Sequence, residues 1–322
     1  MKAISIASLS LALAGTAVLP AADLRIGMIG LDTSHVVAFT QVLNDPANPE
    51  HVPGGRVVAA FKGGSPDLED SRRRVDGYTK ELQDKWGVKI VDTIEALCAQ
   101  VDVVMLESVD GRPHLAQARP VIEAHKPLFI DKPMAGSLRD VVEIFRLARE
   151  ANVPCWSSSS LRYYPGLIEL KQANVGEIRG AVSTGPSPIE PHHPDLFWYG
   201  IHPTEALYAV MGTGCESVVR TSTPDTDVVT GLWKGGRVGT LIGIRNAAAP
   251  YRVTLFGTKA VLDQKPGGDY APLLREVMKF FQTGIVPVSS EETIELFAFM
   301  EAADLSKRRG GAPVKLSEVL PR

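Results

Sequence analysis

A chain of 322 residues is long enough for two domains, and 44% hydrophobic with 22% charged residues is an ordinary folded-protein composition. The net charge of −3 leaves no basic excess of the kind a nucleic-acid binder carries on one face. Nucleic acid is thereby excluded as the expected partner, and a small molecule remains.

The first 22 residues stand apart from the rest. Met1-Lys2 precedes "AISIASLSLALAGTAVLP", an apolar run that holds no charge and is followed by small residues. The run is short for a membrane span and is broken by Gly15 and Pro20, as in a cleaved secretory leader. It contains no Arg-Arg pair, so Sec-type export to the periplasm or another extracytoplasmic space is expected, with no membrane span left after cleavage. Loss of Lys2 takes the net charge to −4. Export permits disulfides, yet Cys98, Cys155 and Cys215 make no framework, and buried inert thiols are expected.

From residue 24 onward, strand and helix alternate. "LRIGMIG" reads as a strand, "SHVVAFTQVL" as a helix, and "RVVAAF" as the next strand. The polar helix "DLEDSRRRVDGYTKELQDKWG" closes at Gly87. "VKIVD" leads into "TIEALCAQ", where Asp92 and Glu95 are spaced as a capping box. "VDVVMLES" is nearly continuous in apolar residues, as expected for a strand covered on both faces. "HLAQARPVIEAHK", "PLFIDKP" and "SLRDVVEIFRLAREANV" continue the alternation. Such an order implies an α/β fold whose first domain, residues 23–152, is a Rossmann-type doubly wound parallel sheet.

After residue 176 the rhythm changes to Val-, Thr- and Gly-rich strands, with Lys234–Arg237 and Gly257–Lys259 as hairpin turns. Residues 153–322 are therefore expected to form an α/β domain with an open antiparallel sheet. Its three helices, beginning near residues 202, 271 and 290, are expected to pack on one face. Open sheets of this kind pair face to face, so a homo-oligomer is expected.

Ligands of an open α/β sheet bind beyond the carboxyl ends of the strands, where strand order reverses. The residues there are Gly30, Leu31, Asp32, Thr33, Ser34 and His35 after the first strand, and Lys62 to Ser65 after the second. Glu107 to His114 follow the fourth strand, and Asp131-Lys132-Pro133 the fifth. In a dinucleotide fingerprint the second glycine admits the pyrophosphate and the third lets the helix pack closely, but here Asp32 and His35 hold those places. A carboxylate about 4 Å from a phosphate charge costs about 4 kcal/mol at an effective dielectric of about 20, so Asp32 either opposes pyrophosphate or turns in to cap the helix through Ser34 or His35. In place of the acid that holds the ribose in NAD proteins, the second strand offers Lys62, which with Ser65 and Arg72 suits a 2′-phosphate. Asp32, Glu107, Asp110 and Asp131 line the crevice with carboxylate, offset by Arg112 and Lys132, and such a rim suits polyol hydroxyls or a cation.

Several of these stretches resemble the glucose–fructose oxidoreductase/inositol dehydrogenase (Gfo/Idh/MocA) family. "IDKPMAGSLRD" is similar to its Glu-Lys-Pro element, with Asp131 in place of Glu. "ESVDGRPH" resembles its Thr-Pro-Asn loop at Ser108, Asp110 and His114. "RYYPG", "GIHPTEALYAVMG" and the closing "EETIELFAFMEAADLSKRRGGAPVKL" match further elements, so the likeness runs from residue 24 to 320.

The resemblance implies an oxidoreductase acting on a sugar or polyol with NADP or NAD. It implies that Lys132 lies beside nicotinamide and substrate, with His202 across the cleft as acid/base or substrate ligand. Gly30, Asp32, Thr33, Ser34, Lys62, Ser108, Asp110, His114, Asp131 and Lys132 then form the cofactor side. Arg162, Tyr163, His193, Trp198 and Glu205 form the substrate side. Trp198 stands where the family commonly has a second acid, and Glu205, one turn after His202, either compensates in part or is simply a polar helix residue. His192, His193, Asp195, His202 and Glu205 hold enough donors for a divalent metal, but their spacing fits no zinc signature, so no metal is expected and a sugar pocket with Trp198 and Tyr199 as platform is preferred. Two rival readings remain: a family member that has lost ordinary dinucleotide binding and does metal- or acid/base-assisted saccharide chemistry, and a non-catalytic binding protein.

Overall fold

The computed structural model describes residues 22–320, so the expected leader, save its last residue, lies outside the described residues. Strand β1 (Leu24–Ile29) feeds helix α1 (Ser34–Asn44), and β2 (Gly55–Phe61) feeds α2 (Glu69–Trp86). There follow β3 (Lys89–Val91), α3 (Ile94–Cys98), β4 (Val103–Leu106), α4 (His114–Glu123), β5 (Leu128–Asp131), α5 (Leu138–Glu150) and β6 (Cys155–Ser158). These six strands form a parallel sheet in the order β3-β2-β1-β4-β5-β6, reversing between β1 and β4. All four residues of β4 and of β5 are buried, because helices cover both faces.

Local signals fix several helix ends. Ser137 Oγ accepts from Asp140 N at the head of α5, and Gly87 closes α2 with φ 66°. The expected capping role of Asp92 belongs instead to Thr93, whose hydroxyl accepts from Ala96 N.

The second part of the chain runs α6 (Pro165–Gln172), β7 (Ile178–Pro186), α7 (Asp195–Trp198), α8 (Ile201–Met211), β8 (Cys215–Ser222), β9 (Thr226–Trp233), β10 (Arg237–Ile244), β11 (Arg252–Gly257) and β12 (Val261–Asp263). It closes with α9 (Ala271–Thr283), α10 (Ser290–Arg308) and β13 (Val314–Lys315). Its seven strands are ordered β12-β11-β7-β10-β9-β8-β13. The sheet is mixed rather than wholly antiparallel, because β10 pairs with β7 in parallel. Both expected hairpin turns are present, joining β9 to β10 and β11 to β12.

Two corrections to the domain division follow. Strand β6 is the sixth strand of the first sheet, so that sheet extends past residue 152. Helix α9 does not pack on the second sheet: Leu273, Leu274, Val277 and Phe280 join Ile26, Met28, Phe39, Phe129 and Trp156 in the core of the first. Its apolar stripe requires a cover, and the uncovered face of α1 and the first sheet supplies it.

Helix α8 is buried along its whole length, packed against β7, β10 and α10. Its polar side chains are therefore bonded: Thr204 to Gly200 O, Glu205 to Arg162, and His202 to Ser159. The three cysteines are free and buried.

Candidate active site

The turn after β1 is built around a close approach. Gly30 has φ 83°, and a Cβ there would lie 2.1 Å from Ser108 Oγ, so only glycine lets the β1 and β4 loops meet. Gly30 N donates to Phe61 O at 3.0 Å and Leu31 N to Lys62 O at 2.8 Å, which carries the β1–β2 pairing into the loop. Thr33, not Asp32, caps α1, accepting from His35 N.

Asp32 turns inward and is 0% exposed. It accepts from Ser71 Oγ on α2 at 2.7 Å and from Val109 N after β4 at 2.9 Å, tying three loops together. Burial raises its pKa, while Ser71, Val109 and the charge of His114 act the other way.

Beside this tie lies a second. Ser65 Oγ donates to Asp110 at 2.6 Å, and Arg112 spans Asp110 and Asp67 with bonds of 2.8 to 3.0 Å. Burial works against the Asp110 carboxylate, but Arg112 and Ser65 hold it below the ordinary range. Leu68, Val109 and Trp198 pack over the same crevice. Lys62 points outward and pairs with Asp76 at 2.6 Å. Ser65 is committed to Asp110, and Arg72 bonds Pro66 O, so neither stands ready for a 2′-phosphate.

His114 is wholly buried between the carbonyls of Met134 and Ser108, at 3.1 and 2.9 Å. Burial lowers its pKa, so the neutral ring donates to one of them and clamps the β4 and β5 loops rather than touching a ligand. Ser108 Oγ is likewise engaged, with Gln117.

In this arrangement the residues do not fit a pyrophosphate along the first loop. The Gly30 and Leu31 amides are already bonded, and a buried carboxylate bridges the β1 and β4 loops at the point where strand order reverses.

Behind the loop sits a buried acid–base group. His35 Nδ1 lies 2.7 Å from Asp131 Oδ2; the carboxylate accepts, so Nδ1 carries the proton. Burial alone would raise Asp131, but His35 and Lys132 hold it below the ordinary range. Glu107 is also 0% exposed, and neither of its oxygens has a hydrogen-bond partner. Burial, and then the charge of Asp131, push the Glu107 carboxyl well above the ordinary range against a smaller pull from Lys132, so it holds its proton at neutral pH. Among the described residues, His35, Glu107 and Asp131 form the one group of metal-ligand type, with donor atoms within 4.8 Å of one another.

Lys132 and His202, from different domains, line one cavity of about 210 Å³. Tyr164, Tyr199, Tyr251 and Tyr270 complete its walls, and Thr33, Ser34 and His35 bring the head of α1 to it. Lys132 Nζ stands 5.7 Å from the centre of the Tyr199 ring. Both Lys132 and His202 are only 8% exposed: they are enclosed, but face the cavity. His202 Nδ1 lies 2.8 Å from Ser159 Oγ, which also accepts from Leu161 N. The Ser159 proton is free for Nδ1, and in that arrangement the Nε2 proton of His202 faces the cavity. Burial, then Lys132 and His35, hold the His202 pKa well below the ordinary range, so the ring is neutral.

The other expected substrate residues lie elsewhere. Arg162 is buried between Glu205 and Glu292, at 2.8 and 2.6 Å, so the guanidinium and Glu205 neutralise one another instead of meeting a ligand. Tyr163 packs on Trp156, and its neighbour Tyr164 faces the cavity instead. His193 Nε2 accepts from Gly111 N, and Trp198 covers Leu68 and Val109, leaving Tyr199 as the exposed ring. The five candidate donors between His192 and Glu205 also disperse. His192 pairs with Glu190, and Asp195 with Arg220 and Lys307. Arg74, Tyr251 and Tyr270 were not singled out by sequence, and His35 was noted only for its place in the turn. Only His35, inside the altered glycine turn, carried a local signal.

Residues 24–159 match the model of the Gfo/Idh/MocA oxidoreductase family with NAD-binding Rossmann fold. YceM of Salmonella typhimurium, which carries an oxidoreductase name, is 26% identical over 148 residues, 46% of this chain and 42% of that protein. The match thus takes in less than half the length of that curated relative. Among solved structures, a dehydrogenase-named protein of Thermotoga maritima superimposes with TM-score 0.75 at 22% identity, over 92% of this chain and 100% of its own. Myo-inositol 2-dehydrogenase of Lactobacillus plantarum gives 0.75 at 15%, over 91% and 99%. Scyllo-inositol dehydrogenase of Lactobacillus casei, solved with NAD(H) and scyllo-inositol, gives 0.73 at 14%, over 92% and 100%. At these identities the likeness is one of fold. The sequence likeness to the Gfo/Idh/MocA oxidoreductase family thus lies in residues 24–159, the N-terminal domain.

Proposed function

We propose that this chain is an oxidoreductase of the Gfo/Idh/MocA type that acts on a sugar or polyol, with NADP or NAD as hydride carrier. The observation that carries the reading is the meeting of Lys132, from the end of β5, and His202, from the head of α8, on one small tyrosine-walled cavity. A volume of about 210 Å³ lies below the range of about 300–1,000 Å³ usual for drug-sized ligands and suits a single sugar ring. Oxidation of a carbinol needs a group to take its proton, and Lys132 and the imidazoles of His202 and His35 are the groups of that chemistry that line the cavity. Export to an extracytoplasmic space is proposed on the leader sequence alone.

The test is turnover of a panel of monosaccharides and inositols, with cofactor binding followed by calorimetry on the purified chain. Weak but measurable binding is expected, with NADP at least as tight as NAD, because Lys62 is the exposed cation at the end of β2. Lys132→Ala and His202→Ala should each abolish turnover, with the loss mainly in kcat. Absence of binding of either dinucleotide at millimolar concentration refutes the cofactor assignment. It favours the second reading, acid/base chemistry on a saccharide without ordinary dinucleotide binding. The Asp32 tie is the observation that supports that second reading.

A further inference from the structure

The carboxylates that sequence places at the cavity rim are not at the rim. Asp32 is consumed by Ser71 and Val109, Asp110 by Ser65 and Arg112, and Asp131 by His35, while Glu107 is sealed and protonated. No aspartate or glutamate lines the cavity among the described residues. What faces inward is Lys132, Arg74, two imidazoles and four tyrosines. The expectation of a rim suited to a cation is thereby reversed.

We propose, building on the oxidoreductase reading of this cavity, that its substrate is an anion, a monosaccharide-sized hydroxy acid whose carboxylate is held between Lys132, His202 and the head of α1.

Four independent features converge on that charge. Lys132 is the buried cation of the cavity, and Arg74 stands at its edge, shared with Asp70 at 3.1 Å. The N-termini of two eleven-residue helices meet there: Thr33 and Ser34 head α1, and His202 is the second residue of α8. Each N-terminus carries about half a positive charge that favours an anion. The His35 ring lines the cavity with its Nδ1 held on Asp131, so that carboxylate is turned away from the ligand. Burial pushes Tyr270 up to about 12 and Tyr251 higher still, so both remain donors toward carboxylate and hydroxyl oxygens.

A carboxylate fits better than a phosphate. Phosphate sites at a Rossmann turn use free backbone amides, and those of Gly30, Leu31 and His35 are already bonded. The volume of about 210 Å³ holds one ring or one open six-carbon chain and little beyond.

The experiment is calorimetry on the purified chain with sodium D-gluconate, D-glucose, myo-inositol and D-glucose 6-phosphate as probes. Gluconate is expected to bind at least about tenfold more tightly than glucose or inositol, about one charge-assisted hydrogen bond's worth of discrimination. Raising salt from about 20 to about 200 mM should weaken gluconate and leave the neutral probes unchanged. Arg74→Gln, on the flank of α2, should reduce the preference. Lys132→Gln, its folding checked by thermal melting, should abolish it. Neutral probes binding as tightly as gluconate overturn the proposal, as does glucose 6-phosphate binding more tightly than gluconate. Failure of gluconate to bind at about ten millimolar also overturns it, ten times the millimolar scale of weak sites. Turnover of a neutral polyol in that case leaves the oxidoreductase reading standing, whereas no turnover of any probe removes both.

Discussion

Asp32→Asn separates the structural work of this carboxylate from its effect on a cofactor. In the parent, Ser71 Oγ accepts from Ser65 N at 2.8 Å and donates to Asp32, while Val109 N donates to the other carboxylate oxygen. An asparagine keeps the bond from Val109 N but turns an amide N–H toward Ser71 Oγ, stranding the serine proton. One unsatisfied buried donor costs about 1–3 kcal/mol, so the midpoint in urea should fall with the slope unchanged. The same change removes a charge that, about 4 Å from pyrophosphate at an effective dielectric of about 20, repels by about 4 kcal/mol. It also loosens the tie that a dinucleotide must displace. The affinity for NADP should therefore rise at least about tenfold, with about a thousandfold as the ceiling that repulsion sets. Burial raises the Asp32 pKa, so the parent should gain dinucleotide affinity as pH falls and the variant should not. Urea titration and calorimetry on the two proteins measure both effects. A variant as stable as the parent refutes the tie, and a destabilised variant with unchanged NADP affinity refutes the claim that Asp32 closes the pyrophosphate route.

Glu107→Gln removes a buried carboxyl whose folded pKa is raised, so the stability it lends is complete below the ordinary carboxylate range and is lost as pH rises toward the raised value. The melting temperature of the Gln variant should therefore gain on the parent between about pH 5 and pH 8; Asp131, held low, acts only on the acid side of that window, and a constant difference refutes the assignment. Arg220→Met strips the buried guanidinium from Asp195, Asp227 and Asp304 and should cost about 3–5 kcal/mol in urea titration, most of it from stranded carboxylates; a cost under about 1 kcal/mol would mean that Arg245 and Lys307 already suffice. The outer face of the second sheet exposes Val228, Leu232, Val238 and Phe256, the last three in one row across β9, β10 and β11 with Gly180 of β7 between Val238 and Phe256. A homodimer through this face is expected by light scattering, with Leu232→Lys shifting it to monomer; a monomeric parent refutes it.

The alternation of short apolar runs with capped helices made the first sheet readable, because each of its strands is short, buried and bounded by a turn signal. Helix α9 was not readable in the same way. Its stripe of Leu273, Leu274, Val277 and Phe280 announces that something covers it, and only the tertiary arrangement decides that the cover is the first sheet. The charged residues illustrate the same limit. Arg162 and Glu205 look like ligand-binding side chains until the fold brings them within 2.8 Å of one another across 43 residues of chain. Asp32 looks like a rim carboxylate until Val109, 77 residues away, presents its amide. A buried charge must find its partner somewhere, and sequence spacing carries no record of a partner that distant.

The turn "IGLDTSH" joins two functions that are usually separate. Gly30 lets the turn press against Ser108, Asp32 locks it to α2 and the β4 loop, Thr33 starts α1, and His35 reaches from the first turn of that helix to Asp131. All four lie within one segment of six residues, each bonded or pressed to a different neighbour. Admitting a pyrophosphate requires the Asp32 bonds to break and the head of α1 to shift. The same shift draws His35 away from Asp131. Asp131 would then lose the partner that holds its pKa down, while Glu107 beside it keeps its proton only as long as Asp131 stays charged or shares that proton. Lys132 would be left as the single cation against the pair. Entry of a dinucleotide and the protonation state of the residues behind the cavity are thus one equilibrium. Cofactor affinity and the pH dependence of turnover should accordingly change together in any variant of this turn.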